Sequence, residues 1–124
     1  MKSKTTAPEV EPTELITLLR INPNGMMNRV TVQNHWRDLS WAIRASAIEY
    51  LPGVTSQFAM YGDDEARLFK RTPNPTASFL YRGPSTVHGP VLLGRLIQTE
   101  EGLDIASADD ALVEHIYSLI RRGV

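Results

Sequence analysis

The 124-residue chain contains no cysteine. That removes disulfide frameworks, thiolate metal centres and thiol nucleophiles together, and it fits a reducing compartment. Histidine is scarce, with three in all, too few for a histidine-rich metal site. No stretch approaches the roughly 18 apolar residues of a membrane-spanning helix, and the first residues lack the apolar centre that a secretory signal requires. Glycine is never gathered into a phosphate loop. Neither a run ending in Gly-Lys-Ser or Gly-Lys-Thr nor a Gly-x-Gly-x-x-Gly is present, which argues against nucleotide hydrolysis. An excess of one charge is missing too. The 13 basic and 14 acidic side chains leave a formal net charge of -1, unlike a protein whose whole surface attracts nucleic acid and unlike an acidic mimic of it. Without internal repeats or heptads, solenoids and coiled coils are excluded.

What is present is the composition of a globular domain, 42% apolar and 22% charged. A chain of this length buries roughly two-thirds of the surface its unfolded form exposes. Residues 1–14 carry Lys2, Lys4, Pro8, Glu9, Glu11 and Pro12 with almost nothing apolar, and read as a flexible N-terminal arm. It is either a solvated tail or a segment that orders on a partner. Residues 15–124 read as a single α+β domain.

Within that domain, Leu15, Ile16, Leu18, Leu19 and Ile21 form a near-continuous apolar run, the pattern of a strand covered on both faces. Asn22-Pro23-Asn24-Gly25 is a turn signal, because Asn and Gly tolerate positive φ. The alternation around Val30 and Val32 completes a hairpin. Asn34 is placed to cap a helix whose stripe is Trp36, Leu39 and Ile43. Trp41 lies about 140° from Trp36 around that helix, so one indole is expected in the core and the other at its margin. Ala47-Ile48-Glu49-Tyr50-Leu51 alternates as a strand, stopped by Pro52-Gly53. Short strands are expected over residues 57–61 and 67–70. Pro73-Asn74-Pro75 argues against regular structure, and residues 77–81 resume as a strand or short helix. Residues 91–97 read as a second central strand. Ser107, three before Asp110, suggests a capping box for a last helix with Val113, Ile116, Tyr117 and Ile120 inward and Arg121, Arg122 and Gly123 at its end. The sum is an α+β fold: a small sheet of about five to six mostly antiparallel strands with two packed helices.

Chemistry-bearing residues are few. Asp63, Asp64 and Glu65 are consecutive, and neighbours in sequence rarely converge on one cation, so they read as a solvated turn, as do Glu100 and Glu101. His88 stands in a Gly/Pro-rich loop after Ser85 and Thr86, where a general base is conceivable, yet no Gly-x-Ser-x-Gly elbow or partner acid accompanies it. His35 and His115 read as incidental. No enzyme activity, cofactor or metal site is expected.

The one uneven charge feature spans residues 67–82. Arg67, Lys70, Arg71 and Arg82 are interleaved with Phe69, Phe79 and Tyr81 and no acid, whereas from Ile97 onward six acids face only Arg121 and Arg122. Cations beside aromatic platforms suit a protein partner's docking face, or single-stranded nucleic acid through phosphate neutralisation and stacking. They equally suit a merely polarised surface, and the dipolar layout suits head-to-tail self-association. The candidate binding residues are Arg67, Lys70, Arg71, Arg82 and Trp41.

The order of motifs resembles a known family. The strand and turn ending at Gly25 lead to a helix, then to Ala47-Ile48-Glu49-Tyr50-Leu51. Pro73-Asn74-Pro75-Thr76-Ala77 follows, then His88-Gly89-Pro90-Val91-Leu92-Leu93-Gly94, and Ile105-Ala106-Ser107-Ala108-Asp109-Asp110 opens the last helix. Over residues 15–120 this resembles a family of small bacteriophage and mobile-element proteins defined as a domain of unknown function. The typical pattern of that family includes the Ile-Glu strand after the first helix, an Asn followed two or three residues on by Ala, and a Gly-Pro/Asp-Val strand before the last helix. The arm and residues 82–86 depart from its pattern, so the basic stretch is not carried over from it. The resemblance implies a non-enzymatic accessory protein of the bacterial cytoplasm that binds a host protein, such as a defence or replication factor. It supplies no catalytic residue. The alternative is a nucleic-acid-binding accessory protein using residues 67–82. No membrane partner is expected; a homo-oligomer is compatible.

Overall fold

The computed structural model describes residues 14–123; the arm expected over residues 1–14 lies, apart from Glu14, outside the described residues. The elements in chain order are β1 (Leu15–Ile21), β2 (Met27–Gln33), α1 (Trp36–Ala42), β3 (Ile48–Pro52), β4 (Phe58–Asp63), α2 (Pro75–Leu80), β5 (Val91–Thr99), β6 (Gly102–Ala106) and α3 (Asp110–Arg122). The strands make one antiparallel sheet in the order β2-β1-β5-β4-β3, and β6 pairs with the second half of β5. This is the expected α+β class, with a third helix among the described residues.

The apolar runs of β1, β4 and β5 explain their central places. Alternate side chains feed two separate cores. Leu19, Ile21, Phe58, Met60, Val91 and Leu93 face α2 and α3, meeting Ala77, Leu80, Leu112 and Ile116. Ile16, Leu18, Ala59 and Leu92 face the other way, toward Leu39 and Ile43 of α1 and its C-terminal turn. A sheet sandwiched in this way must be apolar on both faces, which is why these strands do not alternate with polar residues. Gly94 lets the layers close. A Cβ there would run into the Ala106 carbonyl oxygen and the Leu18 and Ile105 side chains. At the opposite end of β1, Gly25 takes φ 91° in the expected Asn-Gly turn.

Local expectations fail where a tertiary contact outweighs a sequence signal. Residues 67–70 are not a strand. Phe69 N–H reaches Glu65 O and Arg71 N–H reaches Ala66 O, closing helical-type turns, with Lys70 at φ 53°. Nor does Pro73-Asn74-Pro75 prevent regular structure, because Pro75 occupies the first turn of α2, where a missing N–H costs nothing. α1 is capped by His35, whose Nδ1 accepts from Arg37 N–H, and not by Asn34. Neither tryptophan is core. Trp36 and Trp41 are 55% and 79% exposed, since Leu39 and Ile43, with Ala42 and Ala45 beside them, fill the contact with the sheet. Asp109 caps α3 by accepting from Leu112 N–H, whereas Ser107 Oγ instead accepts from Thr17 N–H and ties the helix entry to β1.

Asn74 is fully buried and its side-chain amide joins three segments. Nδ2 donates to Ile21 O at 3.0 Å and to Gly89 O at 2.9 Å, while Oδ1 accepts from Ala77 N–H at 3.0 Å. Its backbone N–H goes to Val87 O at 2.8 Å. Asn74→Ala would strand two buried carbonyls and uncap α2. At about 1–3 kcal/mol for each unmet buried polar group, urea denaturation should show a loss of about 2–5 kcal/mol. Asn74→Asp should fare little better, because a carboxylate cannot donate to either carbonyl.

Candidate functional site

On the sheet face that carries α2 and α3, the chain leaves a groove of about 380 Å³. Leu51 of β3 and Gly62 of β4 lie at its base, beside Glu49. Residues 63–68 form one wall, and Tyr81 with Ser85, Thr86, Val87 and His88 forms the other. The second wall is fixed from α2: Ser78 Oγ accepts from Val87 N–H at 2.9 Å and donates to Asn74 O at 2.8 Å. The first wall is fixed by an ion pair. Arg71 Nη1 lies 2.7 Å from Asp63 Oδ2, with only 4% of the Asp63 side chain exposed. Asp63 Oδ1 also accepts from Glu65 N–H, which closes the turn.

The groove is acidic along one side. Glu49, Asp64 and Glu65 line it, together with the paired Asp63. Partial burial, then the charges of Asp64 and Asp63, push the Glu49 carboxyl above its ordinary pKa, with Arg67 pulling weakly the other way. On the far side of the sheet, burial and a hydrogen bond to Asp104 raise the Tyr61 phenol. At the exposed end of α3 the Arg95 side chain and the Leu112 N–H hold Asp109 below the usual carboxylate range.

Of the basic residues singled out from the sequence, Arg67, Lys70 and Arg71 share one turn, but they are not equivalent. Arg71 is committed: besides Asp63, its Nη1 donates to Arg44 O at 3.4 Å, and its side chain packs over Gly89. Arg67 spans the groove, donating from Nη2 to Thr86 O at 3.2 Å. Lys70 is exposed. Arg82 is also exposed and belongs to the opposite wall's strand, its N–H donating to Pro52 O. Trp41 does not line the groove. It is joined to the basic turn through Arg44, whose N–H donates to Trp41 O while its carbonyl accepts from Arg71.

Sequence reasoning missed Leu68 and Glu49. Leu68 and its neighbour Phe69 are 71% and 64% exposed, held out from the turn. A strand pattern would have placed one of them inward, and only the turn presents both. Glu49 was hidden by its ordinary place in an alternating strand. The histidines each make a structural contact: His35 caps α1, and His88 Nδ1 lies 3.3 Å from Thr86 O. His115 Nε2 lies 3.2 Å from Thr55 Oγ1, with its ring edge-on to Phe58. Among the described residues no group of three or more His, Asp or Glu side chains is placed to hold a metal ion, and no helix is long and apolar enough to cross a membrane.

Fold and site together define a small α+β domain whose exposed specialisation is a mixed-charge groove beside an apolar, basic turn. No family model matches the chain, and no curated protein does. Among solved structures it is similar to the small RNA methyltransferase HEN1, with a TM-score of 0.62 and 13% sequence identity over 89% of this chain and 17% of that one. The chain thus spans less than a fifth of that protein's length, and the likeness is one of fold.

Two substitutions separate structure from recognition. Arg71→Ala leaves Asp63 buried without its cation and should cost about 3 kcal/mol in denaturant titrations, whereas Arg67→Ala and Lys70→Ala should stay within about 0.5 kcal/mol of the parent. Glu49→Gln should raise the thermal midpoint at pH 7. The folded chain holds the Glu49 proton more tightly than the unfolded chain does. Its stability therefore falls as pH rises from the ordinary 4.5 through the raised folded value, and the glutamine variant should lack that component of the profile.

Proposed function

We propose that the chain is a non-enzymatic accessory protein, of the bacteriophage or mobile-element kind, that acts in the bacterial cytoplasm by binding a host protein. The reading is carried by the turn over residues 65–71, which presents Leu68 and Phe69, 71% and 64% exposed, between Arg67 and Lys70. Two adjoining large apolar side chains in water are a standing loss, and covering them gains about 25 cal/mol per Å². Aromatic and arginine side chains are the residue types that anchor protein interfaces. The turn is preorganised by its backbone hydrogen bonds and by the Arg71–Asp63 pair, so little ordering cost attaches to docking. Trp41 is linked to the turn through the Arg44 backbone, and Arg82 is exposed on the segment that follows Tyr81 of the opposite wall. The order of sequence motifs supports the family reading, and with it the cellular setting.

Nucleic acid is the weaker reading. Asp64 and Glu65 stand just before Arg67 and Glu49 lines the adjoining groove, while Arg71 is paired with Asp63, so a phosphate backbone would meet carboxylates beside both arginines of the turn. The RNA substrate in the name of the structural neighbour does not bear on this chain, because a likeness at 13% identity transfers a backbone and not a site.

The test compares the parent with Leu68→Ser/Phe69→Ser and with Arg67→Glu/Lys70→Glu. Bacterial proteins captured by the parent are identified and each is then purified and titrated against all three forms. One partner that binds the parent and loses about tenfold or more with either double variant supports the reading. Equal binding by all three forms would sink it. So would a nucleic-acid mobility shift that weakens with salt at about 0.7–0.9 log units per phosphate contact while no protein partner is found.

A further inference from the structure

β3 is an edge strand, and its hydrogen-bonding phase can be read from one contact. Asp64 N–H donates to Ala47 O at 3.0 Å, so odd-numbered residues bond to β4 and the peptide groups of Ile48, Tyr50 and Pro52 point away from the sheet. The far end of that outward row is already occupied. Pro52 O accepts from Arg82 N–H at 3.0 Å, and Val54 N–H donates to Leu80 O at 2.9 Å, so residues 80–82 lie along the strand as a short added partner. The cover stops at Gly83-Pro84. Among the described residues no hydrogen bond reaches the outward N–H and C=O groups of Ile48 or Tyr50.

We propose that this uncovered edge takes an extended basic peptide as a seventh strand, continuing the line begun by residues 80–82. The occupant follows from what flanks the edge. Successive side chains of an added strand point to opposite faces. On one face they pass over the groove, beside Glu49 and opposite Asp64 and Glu65, where a lysine or arginine finds three carboxylates. The cations already there compensate only in part: Arg71 is spent on Asp63, and Arg67, whose charge offsets Glu49 less than Asp64 and Asp63 oppose it, donates to the Thr86 carbonyl. On the other face the added side chains meet Tyr50, 42% exposed, and Tyr61 opposite it in register, which favours apolar residues. Main-chain hydrogen bonds would supply affinity and the alternating pockets selectivity, the logic of strand addition. The Glu49 carboxyl is raised first by partial burial, and the charges of Asp64 and Asp63 add to that rise. The inference rests on the edge of β3 and the carboxylate side of the groove, which Phe69 does not line, and it stands without the docking turn.

A labelled peptide of alternating lysine and valine, titrated by fluorescence anisotropy against the full chain, tests this directly, with alternating glutamate and valine as the counter-probe. Saturable binding of the basic peptide is expected, with the Ile48 and Tyr50 amides exchanging at least about tenfold more slowly in the complex. Glu49→Lys should weaken binding about tenfold or more and Glu49→Gln by less, the latter guarding against misfolding of the reversed variant. Phe69→Ser, which alters the docking turn without touching the groove lining, should bind the peptide as the parent does, which separates this site from the docking turn. The inference falls if the two peptides bind alike, if the basic peptide binds without protecting those two amides, or if it does not bind. It also falls if sedimentation shows the edge already closed by a second copy of the chain.

Discussion

The structure turns on one buried amide. Asn74 sits with no exposed surface at the junction of β1, α2 and the entry to β5. A polar group so placed must have every hydrogen bond met or it becomes a large liability. Its donors and acceptor allow one arrangement only, with the end of β1 on one side, Gly89 on the other and the first turn of α2 between them. From that point the Val87 contact and the Ser78 hydroxyl carry the constraint along the loop to the groove wall. The opposite wall depends on a second buried polar pair, Asp63 with Arg71. The groove is therefore a gap between two braced loops over a strand floor, bridged by the Arg67 bond to Thr86 O.

That bracing also divides the cations into those the fold consumes and those it leaves free. Arg71 closes a turn, Arg95 bonds to Asp109 and Arg29 reaches Asp110. The acidic excess toward the C-terminus is thus partly answered within the chain, and the simple dipole read along the sequence is weaker in three dimensions. What remains unanswered is local: carboxylates on one side of the groove, and exposed Lys70 and Arg82 on the segments that flank it.

The features legible in the sequence were those in which local and tertiary preferences agree. The run from Leu15 to Ile21 is largely apolar because both faces of β1 are covered, as is the start of β5 from Val91 to Leu93. The Asn-Gly turn was equally plain, and so was the α3 stripe at Val113 and Ile116, although Tyr117, expected inward, is exposed and Leu112 is buried in its stead. The failures share one cause, a side chain claimed by a distant partner. Ser107 looks like a cap but is taken by Thr17, 90 residues away in sequence, leaving Asp109 to cap the helix. Pro73-Asn74-Pro75 looks like a break, yet Asn74 is both cap and clamp, and only the positions of Ile21 and Gly89 reveal it. The basic stretch was visible as composition, but nothing local says that Arg71 would be spent on Asp63 while Leu68 and Phe69 are pushed outward. That division is set by the turn, and the turn is set by the ion pair.

A sheet covered on both faces restricts where such a small protein can meet anything else. With one side of the central strands packed against α1 and the other against α2 and α3, neither broad face is left as a binding platform. Recognition is confined to the rim: strand edges, helix exteriors and the connecting turns. Those are the places where side chains stand apart from the interior's demands, with Leu68 and Phe69 on a turn, Trp41 on a short helix and Tyr50 on an outer strand. Each costs something to keep exposed, since an unpaired strand edge and a solvated tryptophan both invite unwanted association. Burying them would have been open to a chain that already fills two cores. Glu49 on the open strand, with Asp64 and Glu65 across the groove from it, gives that edge like charge that would repel a second copy and attract a cation.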